Sequence, residues 1–138
     1  MSEKLNKRFK KWKMPKIQEK KIHPKYFFLV QNKDKLTLGF KTDIGEFTYI
    51  NAKYGVKIGK NVQIGSHCSI YSNSTIDGKK GKVIIKENAS IGSHSTIMPG
   101  VKIGKNALIG AHSFVNKDIP DNSIAFGVPV KIKKIREK

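Results

Sequence analysis

Three stretches of this chain, IGSHCS, IGSHST and IGAHSF, each carry a histidine in the fourth place: His67, His94 and His112. An imidazole with a pKa of about 6.5 exchanges its proton near neutral pH, which suits it to general-base chemistry. Histidine is also a zinc ligand. A conformational reading competes with both. The fourth place of successive hexads reads Lys41, Phe47, Lys53, Asn61, His67, Asn73, Lys79, Asn88, His94, Gly100, Asn106, His112 and Asp118. Asn, Asp, His and Gly are the types that tolerate positive φ, so the slot reads as a corner in the left-handed backbone region.

The elements that position these residues follow from a period of six. Leu38, Ile44, Ile50, Ile58, Ile64, Ile70, Ile76, Ile85, Ile91, Ile97, Ile103, Ile109 and Val115 are all aliphatic, six apart except at 50→58 and 76→85. The fifth place is mostly small, as in Val62, Cys68, Ala89, Ser95, Ala107 and Ser113. One large and one small inward residue per six suits a short strand followed by a turn, and does not fit a helix. Three such strands make a triangular coil, and stacked coils make an all-β parallel β-helix. Leu38 to Pro120 supplies about four coils. A basic N-terminal arm or cap (1–37) precedes this domain (38–120), and a basic tail (121–138) follows it. Cys68 falls in the small inward place and reads as a buried core thiol.

The same count predicts which corners align. With hexads three apart sharing a face, Ile70, Ile91 and Ile109 stack, placing Asn73, His94 and His112 in one column. Ile64, Ile85 and Ile103 stack on another face, aligning His67 with Asn88 and Asn106. On this register His67 lies on a separate edge, and only a symmetric trimer could bring different edges together.

A length of 138 residues fits one domain. The longest apolar run, Tyr26 to Val30, is too short for a membrane span, and no apolar stretch follows the basic start as a secretory signal would require. A single cysteine allows no internal disulfide, so a cytoplasmic protein is expected. The net charge of +18 is concentrated at the two ends. Neither zinc-finger spacing nor an RNA-binding aromatic signature accompanies it, so no nucleic-acid partner is expected. Phe9, Trp12 and Met14 sit among lysines at near-helical spacing, which could suit peripheral contact with an anionic membrane, although Pro15 interrupts the pattern. The arm could instead cap the open first coil, because terminal repeats need covering.

The repeat, together with the ending DIPDNSIAFGVP, closely resembles the hexapeptide-repeat acyltransferases, in particular the galactoside and maltose O-acetyltransferase branch. The resemblance covers roughly Ile44 to Ile132. It implies a left-handed β-helix, a homotrimer, and acetyl-CoA as co-substrate, bound in a groove between subunits. It also implies that backbone groups at Ser93 and Ala111 contact the pantetheine arm. Asn116 and Lys117 fall near the pantetheine and adenine end, and Lys131 and Lys134 near the CoA phosphates. The Ser93 N–H could bond the thioester carbonyl and stabilise the oxyanion formed on attack. The acceptor implied is a small polar one, a sugar or nucleotide-linked amino sugar of surface polysaccharide.

The catalytic histidine of that branch has no counterpart: its place falls near Thr75, in the segment STIDGKKGKV. Positions matching the family's substrate-binding Asn and Asp hold Gly45 and Lys53. His67 is the first substitute as base and Asp77 the second, although Asp-Gly also signals a turn. His94 and His112 adjoin the expected CoA contacts, and Asp43 and Asn51 are weaker candidates. A free amine acceptor would need no dedicated base, so O- and N-transfer both stand. A γ-class carbonic anhydrase would need histidines five apart, whereas these are spaced by 27 and 18 residues. A non-catalytic basic trimer is the remaining alternative.

Overall fold

The computed structural model describes residues 11–135; Phe9 lies outside them. Each turn of the chain contributes one strand to each of three faces. The first turn holds β1 (Leu29–Gln31), β2 (Leu36–Leu38) and β3 (Asp43–Ile44). The second holds β4 (Tyr49–Asn51), β5 (Val56–Ile58) and β6 (Gln63–Ile64). In the third, β7 (Ser69–Tyr71) is followed by a hairpin of β8 (Asn73–Ser74) and β9 (Lys79–Lys80), then β10 (Val83–Ile85) and β11 (Ser90–Ile91). The fourth holds β12 (Thr96–Ile97), β13 (Lys102–Ile103) and β14 (Leu108–Ile109). The fifth holds β15 (Phe114–Val115), a bridge from Ile119 to Ile103, and β16 (Ser123–Phe126). Finally β17 (Lys131–Ile135) runs back antiparallel along β16.

The first face is β1-β4-β7-β12-β15, the second β2-β5-β10-β13, and the third β3-β6-β11-β14-β16-β17. The parallel register sets like on like. Val30, Ile50, Ile70, Ile97 and Val115 form one internal column, and Ile44, Ile64, Ile91, Ile109 and Ala125 another. Burying these columns along the axis is the main stabilising term, and β-branched side chains fit the pleated wall. The first and third faces each carry five parallel rungs, one more than the expected four, because the first face already starts with β1 and the third continues past Pro120 into β16.

One hexad departs from the expected spine. Ile76 is 99% exposed at the tip of the β8–β9 hairpin, which the Asp77-Gly78 turn closes. This hairpin leaves the prism, so the third turn is longer by the extruded residues and the register of everything before it shifts. Ile64, not Ile70, pairs with Ile91. The expected stacking of Asn73 with His94, and of His67 with Asn88 and Asn106, is therefore replaced by a different corner column.

Candidate functional site at the histidine corner

The corner joining the third face to the first is the one that carries the histidines. Phe27, Phe47, His67, His94 and His112 occupy it in successive turns, each with φ between 57° and 62°. The conformational reading of the fourth place thus holds for all three histidines. Their rings stack: His67 lies 4.7 Å from His94 with a 3° interplanar angle, and His94 lies 4.8 Å from His112. Phe47 continues the stack at 5.2 Å from His67. A single chain therefore aligns all three imidazoles, against the separate edge expected for His67. All three are exposed.

Each corner is a four-residue turn with the positive-φ residue third, the type II pattern. Backbone bonds link successive turns, with the N–H of His67, His94 and His112 donating to the carbonyls of Glu46, Ser66 and Ser93. Ser66, Ser93 and Ala111 thus stand one above another, and their own N–H groups donate to no partner among the described residues. Glycine must precede them, because a Cβ on Gly92 would sit 2.4 Å from the Ala111 nitrogen.

Inside this corner the small fifth-place residues hold those peptides. Thr48 Oγ1 donates to the Gly65 carbonyl at 3.0 Å, and Cys68 Sγ to the Gly92 carbonyl at 3.3 Å. Ser95 and Ser113 hydroxyls both donate to the Gly110 carbonyl, at 3.2 and 2.6 Å. In a trans peptide the carbonyl and the next N–H point opposite ways. Carbonyls of Gly65, Gly92 and Gly110 fastened inward therefore aim the N–H groups of Ser66, Ser93 and Ala111 outward. Cys68 is buried as expected, and burial raises its thiol pKa, which removes it as a nucleophile.

The parallel rungs that flank the corner carry little charge for a chain of this composition, with Asp43 of β3 as their one charged residue. On the first face the outward residues of the parallel rungs include Tyr49, Ser69, Thr96 and Phe114; on the third they include Gln63, Ser90, Leu108 and Ile124. The second face instead presents Lys57 and Lys102. At the C-terminal end of the histidine corner, Lys131 pairs with Phe126, and Lys134 lies three residues further along β17 opposite Ile124. Both lysines are exposed.

The remaining sequence candidates lie elsewhere. Asn116 and Lys117 are exposed at the corner between the first and second faces, the same corner from which the hairpin bearing Asp77 leaves. Asp77 Oδ1 accepts the Lys79 N–H at 3.3 Å. Its pKa is lowered, first by the Ser74 side chain and then by that backbone bond. One chain thus brings His67, Ser93, Ala111 and Lys131 to one corner, and Asp77, Asn116 and Lys117 to another. Sequence reasoning missed Phe27, Phe47 and Ser66 as members of the first corner. The Asp-Gly hairpin signal inside the nine-residue gap would have corrected the register and found them.

No helix among the described residues is long and apolar enough to cross a membrane. Residues 82–117 match the family model for bacterial transferase hexapeptide repeats. The chain is 37% identical over 111 residues to a galactoside O-acetyltransferase of Lactococcus lactis, an alignment covering 70% of this chain and 54% of that one. It is 31% identical over 146 residues to a putative acetyltransferase of Staphylococcus aureus, covering 85% of this chain and 69% of that one. Among solved structures, a galactoside acetyltransferase in complex with coenzyme A superposes with a TM-score of 0.74 at 31% identity, covering 80% of this chain and 60% of that one. The chain thus spans about half the length of the first curated relatives it matches. With a shared repeat, a shared left-handed β-helix and this level of identity, the chain belongs to the bacterial hexapeptide-repeat transferase family.

Proposed function

We propose that the chain is an acetyl-CoA-dependent acetyltransferase that moves an acetyl group to a hydroxyl or amine of a small polar acceptor, a sugar or nucleotide-linked amino sugar. The observation that carries this reading is the row of outward N–H groups at Ser66, Ser93 and Ala111. It runs parallel to the axis between two faces whose parallel rungs carry no lysine, and ends at Lys131. A pantetheine arm is long, thin and rich in amide acceptors, and such a row complements it. Lys131 and Lys134 offer flexible point charges to the phosphates at the far end.

Three copies would complete the site. Asn116, Lys117 and Asp77 share the next corner, so a neighbouring copy could set them against the histidine corner of the first. The first and third faces, whose parallel rungs carry no lysine, suit contact between copies better than the lysine-bearing second face. In hydroxyl transfer, a ring nitrogen of His67 takes the proton as the acceptor oxygen attacks the thioester carbon. The C–O bond forms, the C–S bond breaks, and the departing thiolate receives that proton. The Ser93 N–H meets the transient oxyanion. Asp77 holds the hairpin turn in this scheme, and its lowered pKa makes it the weaker base.

Calorimetry with CoA and transfer of radiolabelled acetyl from acetyl-CoA to a panel of sugars test the proposal. Binding with turnover, in a trimer by sedimentation equilibrium, is expected. Failure of CoA to bind would overturn it.

A further inference from the structure

We propose that the N-terminal end of the prism is a docking surface for an anionic lipid bilayer. The surface is the outer side of residues 11–25, and it lies outside the transfer chemistry described above.

The terminal coil of a solenoid leaves its core and sheet edges open, and something must cover them. Here the arm does so. Trp12 Nε1–H donates to the Thr42 carbonyl at 2.8 Å, just ahead of β3 on the third face. Further along, the Lys20 N–H donates to the Val30 carbonyl of β1, on the first face, at 3.0 Å. Between them Ile17 packs against the buried core. Glu19 fixes the far side by accepting the N–H groups of Asn32 and Lys33. The arm thus crosses the open end of the prism. The near-helical spacing of Trp12 and Met14 does not produce a helix, since residues 11–27 hold none. Trp12 is held from within as well. Its ring meets Phe40 edge-on at 5.2 Å, and with Glu46 it walls a cavity of about 330 Å³ beneath the arm. Capping and docking are therefore the two sides of one segment.

The outer side combines charge with apolar surface. Lys11, Lys13, Lys16, Lys20, Lys21 and Lys25 are all exposed, and Glu19 is the one acidic residue among 11–25. Its carboxylate is already engaged by the two backbone bonds. Met14 and Ile22 stand among these lysines, 50% and 57% exposed. Cations around exposed aliphatic side chains match an interface where anionic headgroups overlie hydrocarbon. Nucleic acid is the other polyanion that such charge could meet, and two features disfavour it. Residues 11–135 contain no arginine, the side chain that reads base edges and clamps phosphates bidentately. Met14 and Ile22 have no ring to stack on a base, whereas either can enter hydrocarbon.

Assembly would multiply the contact. Copies joined through their flanks about an axis parallel to the prism, as in the trimer proposed above, would present three caps on one plane. Attachment of one cap then raises the effective concentration of the other two at the surface.

The full chain is mixed with vesicles of phosphatidylcholine alone, and of equal parts phosphatidylcholine and phosphatidylglycerol, and binding is read by co-sedimentation. Binding to the anionic vesicles alone, reversed by salt, is expected. Trp12 is the only tryptophan, so brominated acyl chains should quench its emission when the cap docks. Lys13→Gln combined with Lys21→Gln should weaken binding by about 25-fold, about fivefold per charge. Ile22→Ser should weaken it by about tenfold. Lys57→Gln combined with Lys102→Gln removes the same charge from the second face and should leave binding nearly unchanged. All of these side chains are exposed, so the melting temperature should hold throughout. No vesicle binding, equal losses in the cap and second-face pairs, an unaffected Ile22→Ser or an unquenched Trp12 each overturn the proposal. A single-stranded DNA bound more tightly than the anionic vesicles at the same salt overturns it in favour of nucleic acid. None of these readouts involves CoA or acetyl transfer, so the outcome is independent of the function proposed above.

Discussion

At the corner between the second and third faces, Asn61, Asn88, Asn106 and Asn122 hold φ between 58° and 63°. At the corner between the third and first faces, His67, His94 and His112 hold φ between 57° and 60°. The backbone makes the same demand in both places, and the side chains diverge. The asparagine corner is laced by charge: Glu87 lies 3.6 Å from Lys60 and 3.3 Å from Lys105, and Asp121 accepts the Lys105 N–H at 2.8 Å. In its three middle turns the interior is aliphatic, with Val62, Ala89 and Ala107, and buried hydroxyls occur only at its ends, in Thr42 and Ser123. Ordinary turn bonds close two of its turns, from Ala89 N–H to Lys86 O and from Ala107 N–H to Gly104 O. The histidine corner replaces ions with stacked rings and aliphatic interior with hydroxyls and a thiol. There the Cys68 N–H goes to Thr48 Oγ1 and the Ser113 N–H to Ser95 Oγ. Polar atoms in a core are costly unless fully bonded, so their concentration behind one corner marks the peptides that need fixed orientation.

The largest effect should come from exchanging the two corner types. His67→Asn preserves a residue at ease with positive φ, so the melting temperature should hold while kcat falls about 10²- to 10⁴-fold. The reciprocal Asn61→His should change neither. Retained turnover in His67→Asn would remove the base from the scheme and favour an amine acceptor.

Ser93→Pro comes next. Proline suits the second position of a type II turn, and Met98-Pro99-Gly100-Val101 already shows that arrangement, with Gly100 at φ 81°. The substitution deletes one outward N–H, and kcat should fall about 10²- to 10³-fold with stability kept. Lys60→Pro at the asparagine corner serves as the control, with unchanged turnover expected. Equal losses in both would end the distinction between the corners.

Thr48→Val should cost about 1–3 kcal/mol in urea titration, because the Gly65 carbonyl and the Cys68 N–H lose a buried partner. Smaller again is Glu87→Gln. Its carboxyl pKa is lowered by Lys105 first, and the pairs are exposed, so a slight, salt-screened drop in melting temperature is expected.

The weakest effect concerns the arm. Glu19 accepts the N–H groups of Asn32 and Lys33, both at 2.8 Å, and the Lys33 bond is the leading cause of its lowered pKa. A lowered pKa means stability present above the unfolded value of about 4.5 and lost as pH falls through the folded one. Acid titration of Trp12 emission should show the arm loosening in that window. Glu19→Gln should flatten the curve.

The aliphatic period made the prism and its positive-φ corners legible, since each depends on residues close in the chain. The identity of the column did not follow, because one miscounted hexad shifts every long-range neighbour. Ile76 carries the right residue type for the spine, yet the Asp77-Gly78 turn beside it ejects it into solvent. The roles of Thr48, Ser95 and Ser113 were hidden for another reason. Small residues fit the inward place by size alone, and their hydroxyl partners belong to the next turn. Trp12 and Glu46 come together only once the arm folds back on β3, and no local pattern encodes that contact.

A solenoid of this kind has sheet edges at both ends, and each is an invitation to add another copy end to end. Here the leading edge of the third face is overlain by the stretch around Trp12, and the trailing edge by a reversed strand whose five residues are all exposed and include three lysines. Cationic, antiparallel termination gives an incoming parallel strand neither register nor electrostatic welcome. On this face, end-to-end addition of another copy is therefore disfavoured at both ends of the ladder.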